Sequence, residues 1–302
     1  MSQTIPEPRI SIIVPSLNQG EYIRQCIESI LSQQYPGLEL IIIDGKSSDQ
    51  SVEIIREYDD HISAWVSEHD TGQSDAINKG FKQATGDIVA WLNADDFYLP
   101  KSFQHVKDAY QANPSSPLYF GDGFRVGKDG ETISKFFPTE KVLFDRQALV
   151  MGLNYILQPS TFINRKALIK VGYLDVNLHY GMDSDLWMRL SSIGSPQAIQ
   201  LPLAASREYE TTKTATGSFA RVEELRSISM KYSGLPITPG VICYFLDTLY
   251  RVVQENDTIY PEGYSEDVTL FWKKTSSLLS LFDARPDGFP QSSASQIEYC
   301  LE

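Results

Sequence analysis

Hydrophobic positions in the first hundred residues alternate between short continuous runs and helical stripes. Ile10 to Pro15 is a β-rich run, followed by the polar turn Ser16-Leu17-Asn18-Gln19-Gly20. Ile23, Cys26, Ile27, Ile30 and Leu31 then recur at steps of three and four, the spacing of a helix that buries one face. Leu38 to Ile43 is apolar without alternation, as expected of a parallel strand covered on both sides, and ends at Asp44-Gly45-Lys46-Ser47-Ser48-Asp49. The next stripe is Val52, Ile54, Ile55 and Tyr58. A third strand, Ile62 to Ser67, leads through a polar loop to a helical face of Ala76, Ile77, Gly80, Phe81 and Ala84. The fourth strand follows Gly86 and stops at two adjacent carboxylates, Asp95 and Asp96. This order predicts an α/β fold with a parallel, doubly wound sheet and right-handed crossovers. Each polar loop follows a strand, so all of them should gather on one edge.

Beyond a helix expected over Leu99 to Tyr110 the texture changes. Leu118 to Arg125, the turn Gly127-Lys128-Asp129-Gly130 and Glu131 to Phe137 predict a β-hairpin, where parallel order should end. Residues 141–151 look helical, Asn154 to Phe162 extended, and Arg165 to Val171 a short helix stopped by Gly172. Leu186, Trp187 and Leu190 form an apolar helical face behind the acidic entry Asp183-Ser184-Asp185. A strand is expected at Gln197 to Leu203, a polar segment over 207–217, and helices from Ser218 onward, with polar connections or ends at 255–268 and 283–296.

Composition narrows the function classes. At 302 residues and 42% hydrophobic the chain can bury a substantial core. A net charge of −13 disfavours a duplex nucleic-acid partner, which needs a basic face. Cys26, Cys243 and Cys300 have no CxxC spacing and read as thiols of a reducing compartment. Met1 to Arg9 lacks the pattern of a signal peptide. The stretch near Gly240 to Val253 is too short and too charged to span a bilayer. A cytoplasmic location is the resulting expectation.

The two strand-end acids suit a divalent cation carrying a phosphorylated substrate, since hard oxygen ligands favour Mg²⁺ or Mn²⁺. On spacing alone, the competing and more economical reading is that Asp96 caps the following helix. Asp183 and Asp185 stand two apart on a helix and point to nearly opposite sides, so they cannot both address one substrate group; an N-cap and a first-turn charge are their ordinary roles. His61, His69, His105 and His179 have no ligand spacing. Trp91 and Trp187 fall on core positions, whereas Tyr155 and Tyr180 are loop aromatics that could stack on a ligand or simply pack.

Taken together, Ser11-Ile-Ile-Val-Pro15-Ser-Leu-Asn18, Ile43-Asp44-Gly-Lys-Ser-Ser-Asp49, Asp70-Thr-Gly72-Gln-Ser-Asp75-Ala-Ile-Asn78-Lys-Gly80, Gly86-Asp87 and Asn93-Ala-Asp95-Asp96 resemble the family 2 glycosyltransferases. The resemblance spans roughly the first 215 residues in several correctly ordered motifs. It implies a GT-A fold over 1–217, with a nucleotide-sugar-binding half (1–100) and an acceptor-binding half (101–217), and leaves 218–302 as a helical extension. It further implies inverting transfer from a nucleotide diphosphate sugar, with UDP the commonest nucleotide, to a glycan or lipid-linked acceptor in polysaccharide or capsule synthesis. Pro15 and Asp44 would lie around base and ribose, Asp75 and Asn78 near the nucleotide sugar, and Asp95 toward ribose or sugar hydroxyls. Asp96 would bind Mg²⁺ or Mn²⁺, and Asp183 would be the catalytic base.

The chain departs from the pattern in three places. Gly45 stands where many relatives carry a second acid that contacts the base, Met182 where an acid usually precedes the catalytic aspartate, and Tyr209 where the family segment often presents histidine. Lys213 could pair with a diphosphate or simply be solvated. The aromatic-rich helix with Tyr244, Phe245, Leu249 and Tyr250 is expected to pack on the catalytic domain or on a second copy in a homo-oligomer; a peripheral membrane contact is the alternative, disfavoured by acidity. Two rival functions come from other classes: a metal-dependent sugar nucleotidyltransferase and a catalytically silent nucleotide-sugar-binding subunit.

Overall fold

The computed structural model describes residues 6–137 and 141–255. The segment expected to be polar from 255 to 268 lies outside them beyond its first residue, as do the 283–296 stretch and Cys300. In chain order the elements are β1 (Ile10–Ser16), α1 (Ile23–Leu31), β2 (Leu38–Asp44), α2 (Ser51–Glu57), β3 (Ala64–Ser67), α3 (Gln73–Gln83), β4 (Ile88–Trp91), β5 (Phe97–Tyr98), α4 (Ser102–Ala112), β6 (Leu118–Val126), β7 (Thr132–Lys135), α5 (Arg146–Val150), β8 (Thr161–Asn164), α6 (Arg165–Val171), α7 (Met182–Ser191), β9 (Gln197–Arg207), α8 (Lys213–Thr216), α9 (Ser218–Ser233) and α10 (Pro239–Glu255). Short 3₁₀ turns lie at Asp59–His61 and Gln158–Ser160.

The chain divides into two compact units, Met1–Phe144 with Ile156–Glu210, and Asp145–Tyr155 with Thr211–Glu302.

The first unit is built on one sheet, ordered β3-β2-β1-β4-β8-β6-β9-β5, with β7 on the edge of β6. β3, β2, β1 and β4 are parallel, as the alternating pattern predicts. Ile12, Val14, Leu40, Ile42 and Ala90 from these strands pack with Ile23, Ile27 and Ile30 of α1 in a common core. The β6–β7 hairpin is antiparallel as expected. Parallel order nevertheless returns after it, because β9 runs along β6 in the same direction. That strand is also longer than expected, continuing to Arg207, because Ala204 and Ala205 are small enough to lie fully buried beside β6 and β5. The helix expected over 141–151 is confined to α5, and Gln158–Ser160 turns where an extended run was expected.

α3 packs tightly on β1 through Gly80. A Cβ at this position would sit 2.5 Å from Ile13 Cγ2 and 2.7 Å from its Cγ1, on a β-branched side chain with no room to swing. Gly80→Ala should therefore cost about 1–3 kcal/mol by overpacking, despite the better helix propensity of alanine. Urea denaturation checks this, and an unchanged midpoint would mean that α3 can lift off β1 freely.

The second unit is helical within its described residues. Ser229 on α9 donates to Val150 O (3.2 Å) and pairs with Thr238 (2.9 Å), while Gly240 N at the start of α10 donates to Met151 O (3.0 Å). Tyr155 is buried, its hydroxyl accepting from Asp145 N (2.6 Å) and donating to Asp145 O (2.9 Å). Tyr155 is thus a packing residue, the second of the two roles its place in the sequence left open.

Candidate active site

The parallel strands deliver four polar loops to one edge of the sheet, as the order of elements requires. After β4 the chain turns through Asn93 and Ala94 to Asp95 and Asp96, then enters β5. Asp96 does not cap a helix: α4 starts only at Ser102, with Lys101 in the left-handed conformation before it. Asp96 is instead 3% exposed and engaged on both oxygens, Oδ1 accepting from Arg207 N (2.8 Å) and Oδ2 from Asn93 Nδ2 (3.2 Å). Asp95 is more exposed, and its Oδ2 accepts the Tyr209 hydroxyl at 2.9 Å.

Burial pushes the Asp95 carboxyl above its ordinary range, and burial together with the neighbouring Asp95 charge pushes Asp96 higher still. Among the described residues no Lys, Arg or His side chain forms an ion pair with either acid. Arg207 is the nearby cation, but its guanidinium is spent elsewhere. Nε donates to the Asp95 backbone carbonyl (2.9 Å), Nη1 to Gly127 O (3.1 Å) and Lys128 O (2.5 Å), and Nη2 to Gln25 (2.6 Å). It also lies 4.7 Å from the Tyr22 ring centre and 5.7 Å from that of Phe97. Arg207 therefore shapes the acidic turn while leaving its charge largely uncompensated. A buried and a half-buried acid, adjacent and without an ion pair among the described residues, are what a cation would neutralise. No group of three or more His, Cys, Asp or Glu side chains able to hold a metal occurs among the described residues. Any ion here would have to complete its shell with substrate oxygens and water, the usual condition for Mg²⁺.

Tyr209 joins this network from the end of β9. Its ring lies 5.4 Å from that of Tyr22, and burial, followed by the Asp95 charge, raises its phenol so that it stays a neutral donor. Neither Arg207 nor Tyr22 was singled out from sequence. Nothing in their spacing marks them, because the contacts span the length from α1 to β9.

The second acidic motif opens α7, whose N-cap is Gly181 without a side-chain cap. Asp183 and Asp185 separate as helical geometry demands. Asp185 is 1% exposed and pairs with Arg189 Nε at 2.7 Å, while Arg189 Nη1 reaches Val171 O (3.0 Å) and Gly172 O (2.8 Å). It is a structural tie. Asp183 stays half-buried in the first turn and accepts from Ser184 N at 2.6 Å.

Two contacts fix α7, and a third the segment that leads into it, beside the parallel sheet. Trp187 stacks on Trp91 of β4, with centroids 5.6 Å apart and planes at 21°. Ser74 donates to Met182 Sδ (2.7 Å), so the methionine that replaces the expected acid has a packing role at the start of α3. Asn78 Nδ2 donates to Leu174 O (2.9 Å) and Asn78 Oδ1 accepts from Leu174 N (3.0 Å). Gln73 Nε2 meanwhile reaches Asn93 Oδ1 at 2.8 Å, connecting α3 to the acidic turn. The result is that the Asp95-Asp96 turn and the N-terminus of α7 share α3 as a common support.

The remaining expected donor residues divide. Pro15 is buried in β1 opposite Ile43. Asp44 is fully buried, accepting from Ser47 N (2.9 Å), Ser47 Oγ (2.5 Å) and Ser67 Oγ (2.6 Å), so its carboxylate organises the loop and offers no exposed oxygen. Asn78, with its amide nitrogen and oxygen both bonded to the Leu174 backbone, likewise holds a loop. Asp75 remains accessible at the start of α3, lowered by the Thr71 N–H and by Lys79, 3.6 Å away. His61, His69 and His179 are exposed and His105 is partly buried, in keeping with loop or surface roles.

The fold and the chain have clear counterparts. The solved structure of Staphylococcus aureus TarS 1–349 in complex with UDP-GlcNAc superposes with a TM-score of 0.61 at 17% identity, over 82% of this chain and 74% of that one. A mannosyltransferase from Pyrobaculum calidifontis, solved with GDP-Man and Mn²⁺, gives a TM-score of 0.58 at 17% identity over 98% and 86% of the two chains. Both are GT-A glycosyltransferases, and the present fold is of that type. Among sequence relatives, a glycosyltransferase of Rickettsia typhi is 28% identical over 76% of this chain and 74% of its own length. One of Mycobacterium tuberculosis is 28% identical over 68% and 76%. The model of "Glycosyl transferase family 2" matches residues 11–172, more than half of the chain, and the protein therefore belongs to family 2 of the glycosyltransferases.

Proposed function

We propose that the chain is a cation-dependent, inverting glycosyltransferase that moves a sugar from a nucleotide diphosphate donor to an acceptor hydroxyl. The observation that carries this reading is the pair of adjacent acids without an ion pair among the described residues, half-buried Asp95 and buried Asp96, braced through α3 to the helix that begins with Asp183. The ends of β1, β2 and β3 receive the nucleoside, with Pro15 and the Asp44 loop as walls. Asp75 stands near the sugar. Asp95, the more exposed acid, meets Mg²⁺ or Mn²⁺ directly, and Asp96 holds the turn behind it. This reverses the division between the two acids expected from the family resemblance, and it rests on Asp96 being 3% exposed while Asp95 keeps accessible surface.

A divalent ion bound there supplies Lewis-acid stabilisation of the departing diphosphate. Asp183 takes the proton of the acceptor hydroxyl as that oxygen bonds to the anomeric carbon, while the carbon–oxygen bond to the diphosphate breaks and its electron pair leaves with the phosphate. Attack from the face opposite the leaving group inverts the anomeric centre. Tyr209 positions Asp95 through its hydroxyl. The acceptor is a glycan or lipid-linked saccharide of polysaccharide synthesis. No described helix is long and apolar enough to cross a membrane.

Product analysis with a panel of nucleotide sugars, Mn²⁺ and saccharide acceptors tests the reading. Free nucleoside diphosphate formed in step with a glycosylated acceptor is the expected result. Pyrophosphate release would instead identify a nucleotidyltransferase, and donor binding without turnover under all conditions a silent binding subunit.

A further inference from the structure

Gln158 opens the short 3₁₀ turn before β8 and lies beside the acidic turn. The ladder between β4 and β8 ends at Val89 and Ile163, two residues short of Trp91. Trp91 is fully buried, so its carbonyl needs a donor. Gln158 Nε2 supplies it at 2.8 Å, and with that nitrogen committed Oε1 accepts from Asn93 Nδ2 at 3.3 Å. The same Asn93 nitrogen donates to Asp96 Oδ2 at 3.2 Å, while Asn93 Oδ1 accepts from Gln73 Nε2 at 2.8 Å. Asn93 O in turn accepts from Asp96 N at 3.0 Å. These bonds fix the sense of both amides, because a reversed Asn93 would set its oxygen against Asp96 and Gln158 together. The 3₁₀ turn is itself anchored: Thr161 Oγ1 donates to Gln158 O (2.5 Å), and Ser160 Oγ to Asp122 O (2.8 Å).

On the cation-site reading proposed above, we infer that Gln158 is a positioning residue for that site: its carboxamide ties the end of β4 to Asn93 and so holds the Asp95-Asp96 turn in the shape that receives the ion. Before an ion arrives the two neighbouring carboxylates repel each other. Neutral groups hold the turn against that repulsion, Asn93 on Asp96 and Tyr209 on Asp95. Among the partners of the Asn93 side chain, Gln158 also grips the strand through Trp91 O, and it thereby fixes Asn93 relative to β4 itself. Without that grip Asn93 follows Asp96 as the acids move apart, and an arriving ion must first draw the turn back. The cost falls on the ion-dependent part of donor binding and leaves the contacts of the nucleoside with the ends of β1 to β3 as they are. The effect of Gln158 on the acids runs through Asn93, as outer partners of metal ligands act.

Calorimetric titration of the full chain with UDP and GDP, each with and without Mn²⁺, tests this on Gln158→Met, which keeps the length of the side chain and removes both hydrogen bonds. The gain in affinity that Mn²⁺ confers on the wild type should shrink by about 10- to 100-fold, the range for an outer partner of a metal ligand. The affinity without Mn²⁺ should stay within about twofold, because Gln158 is not part of the nucleoside walls. In the metal-free protein the Asp96 amide, which donates to Asn93 O, should exchange its hydrogen about 3- to 10-fold faster, the worth of one neutral hydrogen bond. An unchanged Mn²⁺ gain or an unchanged exchange rate overturns the inference. So does a loss of equal size with and without Mn²⁺, the mark of a merely structural role or of direct contact with the nucleotide. Gln158→Asn, one methylene too short to reach Trp91 O and Asn93 together, should show the same loss and serves if circular dichroism finds Gln158→Met misfolded. Absence of any Mn²⁺-dependent binding in the wild type would overturn the cation-site reading itself.

Discussion

Asp183→Asn should lower the turnover rate by about 10²–10⁴-fold, the range attributable to general-base catalysis, while leaving nucleoside diphosphate affinity within about twofold. Asparagine nearly matches aspartate in size but cannot take a proton from an attacking hydroxyl. The substitution should be gentle structurally, because Asp183 is half-buried and its hydrogen bond to Ser184 N can be kept by the amide oxygen. Asp185 supplies the internal control. Its carboxylate is buried against Arg189, which in turn holds the backbone of Val171 and Gly172. Asp185→Asn should therefore act through stability, since removing one partner leaves a buried guanidinium poorly compensated. The measurement is steady-state kinetics on both variants, with chemical denaturation alongside. Full turnover in Asp183→Asn would remove this residue from the base role, whatever the stability of Asp185→Asn.

That contrast also shows what a linear sequence can and cannot convey. A period of 3.6 residues is enough to say that Asp183 and Asp185 diverge, and strand–helix alternation is enough to bring the loops after β1 to β4 to one edge. The stack of Trp187 on Trp91 agrees with the reading of both as core residues. What the pattern could not carry are side-chain partners drawn from distant strands. Asp44 and Asn78 sit in motifs that invite a ligand, yet both are saturated by serines or by Leu174, because a buried polar group in a strand-end loop must first be satisfied internally. Arg207, Tyr22 and Tyr209 meet at the acidic turn only because β9 runs farther than its apolar stretch suggests and ends beside β4 and α1. The reach of Gln158 to Trp91 and Asn93 likewise depends on β8 lying beside β4, a relation invisible to spacing along the chain.

The two acids after β4 should respond differently to removal. Asp95→Ala should weaken Mn²⁺-dependent nucleoside diphosphate binding by more than about 100-fold, because even an outer partner of a metal ligand is worth 10- to 100-fold. Asp96→Asn should fall inside that smaller range. Its amide oxygen can still accept from Arg207 N, so the turn survives, but the second negative charge that would attract the cation is gone. Tyr209→Phe removes the hydroxyl from Asp95 Oδ2 without disturbing the ring against Tyr22, and should resemble Asp96→Asn. The readout is calorimetry with and without Mn²⁺, which does not depend on turnover. A larger loss in Asp96→Asn than in Asp95→Ala would return the direct ligand role to Asp96 and turn Asp95 toward the ribose or sugar hydroxyls. Equal binding with and without Mn²⁺ in the wild type would instead sink the cation site, leaving a buried and a half-buried acid whose lack of a counter-ion would need another physical cause.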